Sequence, residues 1–175
     1  MGSDYAEHIA VISRSLGIPA DYARTRHMPL QREAKRLVAI GRKPDGSMIK
    51  LAPRTATAWR RMRATAATDG ITLLPISGFR SVTRQTKIIR EKLAAGKRIG
   101  DILRFVAAPG CSEHHTGRAL DIASARHPDL DAGFARTREF KWLARHARRF
   151  GFHLSYPRGN RHGIGYEPWH WCWNG

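Results

Sequence analysis

Three residues far apart in the chain, His114, Asp121 and His170, are of the types that hold a catalytic zinc ion. Two imidazole nitrogens and one carboxylate give a divalent ion three protein donors and leave a fourth position for water. Asp121 lies in Arg118-Ala119-Leu120-Asp121-Ile122-Ala123, which reads as a strand. Alternation puts Leu120 and Ile122 on one face and Ala119, Asp121 and Ala123 on the other. A carboxylate in such an apolar strand is expensive to bury unless it is paired or metal-bound. The flanking alanines leave room for an approaching group. His114 lies upstream of a Thr116-Gly117 turn that can fold it back toward Asp121. His170 stands between Trp169 and Trp171, with Glu167 a spare carboxylate beside it. In a regular strand Glu167 and His170 face opposite ways, because their offset is odd. Pro168 lies between them and can break that regularity. Each of these residue types is common alone on a surface or in a core, so the reading rests on the set.

The elements that must position this set follow from periodicity and turn signals. Residues 5–16 read as a short helix around Ile9, Ile12 and Leu16. Residues 36–40 and 47–51 flank Lys43-Pro44-Asp45-Gly46 and predict a hairpin. Residues 54–68 predict a helix with Ala58, Trp59, Met62 and Ala66 on one face, stopped at Gly70, and Ile71 to Ser77 predicts a buried strand. Thr83 is the expected cap of a helix holding Ile88, Ile89 and Leu93. Residues 99–105 predict a short helix and 107–117 a loop. A strand over 118–124 is followed by one long helix over 129–150, with Phe140, Leu143, Ala147 and Phe150 at helical spacing. Residues 152–156 and 166–173 predict the last strands. The order gives an α+β class, with a small, mostly antiparallel sheet flanked by helices.

Ser112-Glu113-His114-His115-Thr116-Gly117-Arg118-Ala119-Leu120-Asp121 matches an SxHxxGxAxD motif. Glu167-Pro168-Trp169-His170 matches ExxH with a Trp before the His, and Ser77-Gly78-Phe79-Arg80-Ser81 with Gln85 is close to SGYRSxxxQ, with Phe for Tyr. Together with Leu154-Ser155-Tyr156-Pro157, these segments resemble, in order and spacing, the VanY-type D-alanyl-D-alanine carboxypeptidases, zinc peptidases acting on peptidoglycan. The likeness runs from about Trp59 to Trp173. It implies the hedgehog/DD-peptidase fold, with zinc (Zn2+) on His114, Asp121 and His170 and Glu167 as general base. It also implies Arg80 at the substrate carbonyl or its oxyanion, and Gln85, Ser112 and Tyr156 against the peptide. Residues 1–50 match less clearly. The expected organisation is therefore an N-terminal helix and hairpin extension, 1–50, packed on a zinc DD-peptidase domain, 51–175.

The expected reaction is hydrolysis of a peptide bond in peptidoglycan stem peptides, with release of the terminal D-alanine. An endopeptidase of the same chemistry, such as an endolysin cutting L-Ala-D-Glu or a cross-bridge, is the alternative. A non-catalytic zinc domain is a remote one, since Glu167 is in place.

Composition bounds these readings. The 175 residues suit one domain, or one with a short appendage, and a hydrophobic fraction of 42% excludes wholesale disorder. No apolar run approaches the roughly 18 residues of a membrane span. Lys and Arg number 31 against 14 Asp and Glu, a net charge of +17. Such a chain is attracted to polyanions, whether nucleic acid, acidic membranes or an anionic cell-wall polymer, or it is simply an arginine-rich solvated surface. The basic residues are spread without a dense tail, which argues against specific nucleic-acid binding. Residues 1–17 carry Asp4, Glu7 and His8 and lack the apolar run of a secretory leader. The expected site of action is the cell wall or periplasm, with the export route open. Cys111 and Cys172 flank the proposed ligands, so metal binding brings their segments together. A bridge between them is geometrically possible, and two reduced, half-buried thiols are the preferred reading. His115, next to a ligand, is expected to be exposed, and Trp59, Trp142 and Trp173 to be core or interface aromatics.

Overall fold

The structure, a computed structural model, describes residues 2–175; Met1 lies outside them. Helix α1 (Gly2–Ser15) ends at Gly17, whose φ of 69° suits glycine, and one turn of helix, α2 (Tyr22–Thr25), follows. Strands β1 (Val38–Arg42) and β2 (Met48–Leu51) form an antiparallel hairpin. Its turn closes where Asp45 accepts the Ser47 N–H at 2.8 Å. Helix α3 (Pro53–Thr68) starts with proline at its first turn, where no N–H partner is needed. It buries Thr55, Ala56, Trp59, Met62 and Ala66.

Strand β3 (Leu74–Ser77) is shorter than the expected 71–77. Helix α4 (Val82–Ala94) is capped by Ser81, whose hydroxyl accepts the Arg84 N–H at 3.1 Å, two residues before the expected Thr83. A single turn, α5 (Ile99–Ile102), leads to a 3₁₀ turn over Glu113–Thr116 and then β4 (Ala119–Ala123).

The long helix expected over 129–150 is three pieces. Residues Ala132–Arg136 form a 3₁₀ turn, α6 (Arg138–His146) follows, and Ala147–Phe150 is again 3₁₀. Thr137 causes the break. It is extended, with ψ of 159°, and its hydroxyl caps α6 by accepting the Phe140 N–H at 3.1 Å. Strands β5 (Phe152–Leu154) and β6 (His170–Trp173) close the chain, β6 starting four residues later than the expected 166.

The main sheet has the order β3-β4-β6-β5, antiparallel throughout, so the α+β reading holds. Strand β4 is buried along its whole length in the middle. Its alternation divides the molecule. Leu120 and Ile122 enter a core with Trp59, Met62, Phe134 and Leu143. Burying each such side chain fully is worth about 1.5–3 kcal/mol. A second apolar cluster joins Leu16, Ile18, Tyr22 and Met28 to Ile89, Leu103 and Tyr156. The N-terminal segment is thereby packed against later elements. Backbone bonds add to this, from Gln31 N–H to Gly110 and from Ala34 N–H to His115.

Candidate active site

The sheet register brings the first two groups together. Asp121 on β4 lies directly opposite His170 on β6, and Ser77 on β3 opposes Asp121 from the other side. His114 arrives from the 3₁₀ turn. That turn ends at Gly117, whose φ of 64° is left-handed and whose missing side chain leaves room for the backbone of Ala52. Ligand atoms of His114, Asp121 and His170 all lie within 4.8 Å of one another. His114 Nε2 is 3.3 Å from Asp121 Oδ2, and His170 Nδ1 is 3.1 Å from Asp121 Oδ1. The two imidazoles meet edge to face, with centroids 4.9 Å apart. All three side chains are buried.

The outer nitrogens of both rings are occupied. His114 Nδ1 lies 2.6 Å from the Gly78 carbonyl, so it carries the proton and leaves the Nε2 lone pair facing Asp121. His170 Nε2 lies 2.9 Å from Glu113 Oε2, which leaves Nδ1 facing inward. Burial lowers the basicity of His114, and the Asp121 charge opposes this only in part. Burial acts on His170 in the same sense, but its bonds to Asp121 and Glu113 outweigh it and push the pKa up to about 10. Burial raises Asp121, yet His114 and His170 hold its carboxyl well below the usual range.

Glu167 reaches the same spot because β6 has not yet begun there. Residues 167–170 form a turn in which the His170 N–H donates to the Glu167 carbonyl at 3.1 Å. The odd offset that a regular strand would impose is thereby removed. Glu167 Oε2 stands 3.9 Å from His170 Nδ1. Burial, aided by the charges of Asp121 and Glu113, outweighs His170 and Arg80 and pushes the Glu167 pKa up to about 7.

Arg80 projects from the segment after β3. Nη1 donates to Gln85 Oε1 at 3.1 Å and Nη2 to Ser77 Oγ at 3.3 Å, with Asp121 Oδ2 at 3.6 Å. Gln85 is buried and donates its Nε2 to the Ala107 carbonyl at 2.6 Å, so its amide is held at both ends. Tyr156 packs its ring on His170 at 4.8 Å. Arg80, Gln85, Ser112, Tyr156, Glu167 and the three central side chains all line one open cleft of about 550 Å³.

Two neighbours of His114 depart from the sequence reading. His115, expected to be exposed, is fully buried. Its Nδ1 donates to the Arg80 carbonyl at 2.6 Å and its Nε2 accepts the Gly110 N–H at 3.1 Å. Glu113, read only as part of a motif, accepts from His170 and, at 2.6 Å, from the Ser155 hydroxyl. Burial raises the Glu113 pKa, but the hydrogen bonds from His170 and Ser155 win and hold it at about 2. Its only sequence signal is its place beside a candidate ligand. Cys111 and Cys172 are buried free thiols, and neither joins the His–Asp–His group.

This donor set suits zinc. Two imidazoles and one carboxylate converge, each imidazole is oriented by an acceptor on its far side, and the group faces an open cleft. The model of the VanY D-alanyl-D-alanine carboxypeptidase family matches residues 48–175. The Bacillus subtilis protein YodJ is 38% identical over 119 residues, and the aligned part is 66% of this chain but 43% of YodJ. VanXYC of Enterococcus gallinarum, a bifunctional D-Ala-D-Ala dipeptidase and carboxypeptidase, is 32% identical over 133 residues, 73% of this chain and 68% of that protein. Among solved structures, a mutant of the D,D-pentapeptidase VanY from a VanB-type vancomycin-resistance cassette, in complex with Zn(II), aligns with a TM-score of 0.63. That alignment has 26% identity and covers 85% of this chain and 83% of the other. With most of its length matched, fold and motifs together, this chain belongs to the VanY D-alanyl-D-alanine carboxypeptidase family.

Proposed function

We propose that this protein is a zinc-dependent peptidase that removes the terminal D-alanine from peptidoglycan stem peptides. The observation that carries the reading is the convergence of His114, Asp121 and His170 within 4.8 Å, with Glu167 on the same cleft. Family membership supplies the substrate class.

His114 Nε2, an Asp121 oxygen and His170 Nδ1 would hold a zinc ion, which would supply a Lewis acid and a water whose pKa is lowered toward about 7. The remaining work falls to the chain. Glu167 takes a proton from the attacking water on a carboxylate oxygen and delivers it to the departing amine. Its raised pKa, about 7, suits both halves of that transfer near neutrality. Arg80, braced by Gln85 and Ser77, offers its guanidinium N–H groups to the carbonyl oxygen as negative charge develops there. Ser112 and Tyr156 line the cleft and contact the peptide, while Gln85 acts mainly through Arg80. Residues 51–175 form the peptidase domain and 1–50 an extension packed on it. The site of action is the cell wall or periplasm, where the net charge of +17 favours an anionic polymer. No described helix is long and apolar enough to cross a membrane.

Incubation with purified muropeptides ending in D-Ala-D-Ala, followed by mass spectrometry, tests the reading. Loss of a single alanine, abolished by a chelator and restored by zinc, is expected. A cut inside the stem peptide or cross-bridge would make the protein an endopeptidase instead, and no zinc-dependent product would overturn the enzymatic reading.

A further inference from the structure

We infer that Glu113, braced by Ser155, is a positioning residue that sets the tautomer of His170 and so presents its Nδ1 to the metal. This inference rests on the zinc reading above.

The geometry has two sides. On the inner side, His170 Nδ1 faces Asp121 Oδ1 at 3.1 Å and belongs to the group of converging donors. On the outer side, Nε2 meets Glu113 Oε2 at 2.9 Å. A neutral imidazole has one N–H and one lone pair, and an ionised carboxylate can only accept. When a cation takes the place of the Nδ1 proton, Glu113 keeps the other proton on Nε2 and the lone pair on Nδ1. The opposite tautomer would leave Nδ1 unable to bind a cation and the half-buried Glu113 carboxylate facing a lone pair.

Glu113 is itself held. The Ser155 hydroxyl donates to the same Oε2 at 2.6 Å. Ser155 follows β5, the strand paired with β6, while Glu113 opens the 3₁₀ turn that carries His114. One short turn thus supplies one metal donor and the support for another on a different strand. The two imidazoles are supported unequally. His114 donates to a neutral carbonyl, that of Gly78, and His170 to a carboxylate, which makes His170 the more strongly donating ligand. Glu113 does not line the cleft, so its effect reaches the reaction through His170 rather than through substrate.

Zinc affinity, measured by competition with a chromophoric chelator, tests this in the full chain. Glu113→Ala should weaken zinc binding by about 10- to 100-fold, the usual cost of losing such an outer partner. Glu113→Gln keeps an acceptor without the charge and should fall between Glu113→Ala and the parent. Ser155→Ala should weaken binding less than Glu113→Ala. With zinc at saturation, the KM of Glu113→Gln should stay within about twofold of the parent. Nitrogen-15 NMR of the zinc-loaded parent should show His170 protonated on Nε2, and Glu113→Gln should shift or broaden that resonance, which a purely structural role would not do. A Glu113→Ala affinity within twofold of the parent, or a His170 proton on Nδ1, overturns the inference. If Glu113→Ala does not fold, the Glu113→Gln affinity and the NMR signature decide. A parent that binds no zinc contradicts the proposed function instead, so the two failures are distinct.

Discussion

His115 donates its Nδ1 proton to the carbonyl of Arg80 at 2.6 Å, and His114 donates its own to the carbonyl of Gly78 at the same distance. Two consecutive imidazoles on one tight turn therefore grip two carbonyls of one extended segment. The Arg80 N–H completes the clamp by donating to the His114 carbonyl at 3.1 Å. The segment that aims Arg80 and the turn that carries His114 are thus tied together by three hydrogen bonds. Replacing His115 by Ala leaves the Arg80 carbonyl and the buried Gly110 N–H without this partner. We expect a loss of about 1–3 kcal/mol, read as a lower urea midpoint, with reduced turnover. A change below about 0.5 kcal/mol would show that the clamp is idle.

Glu167→Gln preserves shape and removes the proton acceptor. Turnover should fall at least about a hundredfold, the low end for general acid–base catalysis, while zinc content stays at the parent level. Measured together, an active variant with full zinc would assign the base elsewhere.

Zinc binding should release protons at pH 7. In the metal-free protein His170, raised to about 10 by Asp121 and Glu113 against the effect of burial, is protonated at that pH. Its proton must leave before Nδ1 can bind a cation. His114 is lowered and already neutral, so it contributes none. At least one proton per zinc is expected in a weakly buffered titration. Affinity should rise by roughly tenfold per pH unit between about 7 and 9, levelling off near the folded pKa of His170. Release of no proton would contradict the His170–Asp121–Glu113 arrangement.

Both cysteines should be unreactive in the native protein. Burial raises Cys111 to about 11 and pushes Cys172 up as well, where Glu113 adds to the effect. Neither carries appreciable thiolate at pH 8. Iodoacetamide should label neither in the fold and both in denaturant. Labelling of the native protein at the rate of a free thiol would contradict their burial.

What was legible in the sequence is the local chemistry of each strand and turn. Alternation along β4 was enough to place Asp121 opposite in face to Leu120 and Ile122, because the period of a strand is intrinsic to it. The Gly117 turn was legible because glycine is the residue that readily takes a left-handed φ, here 64°. The pairing of Asp121 with His170 was not, because it is a register between strands 49 residues apart. The burial of His115 has no local signal, because it comes from remote chain, including Ala34, whose N–H bonds to its carbonyl at 2.8 Å. Tyr166 to Trp169 looked like strand by composition. Their backbone instead turns, with the Glu167 N–H donating to Tyr156 and the Glu167 carbonyl accepting from His170. Glu113 carries no periodic signal at all, and its role emerges only from the proximity of β6 and Ser155.

The most direct measurement is a zinc titration of the chelator-stripped protein, following free D-alanine released from a D-Ala-D-Ala muropeptide. Activity should be absent without metal, climb linearly and stop at one zinc per chain, and Asp121→Ala should abolish both binding and activity. Full activity in the stripped protein, or tight stoichiometric zinc in Asp121→Ala, would contradict the His114–Asp121–His170 centre.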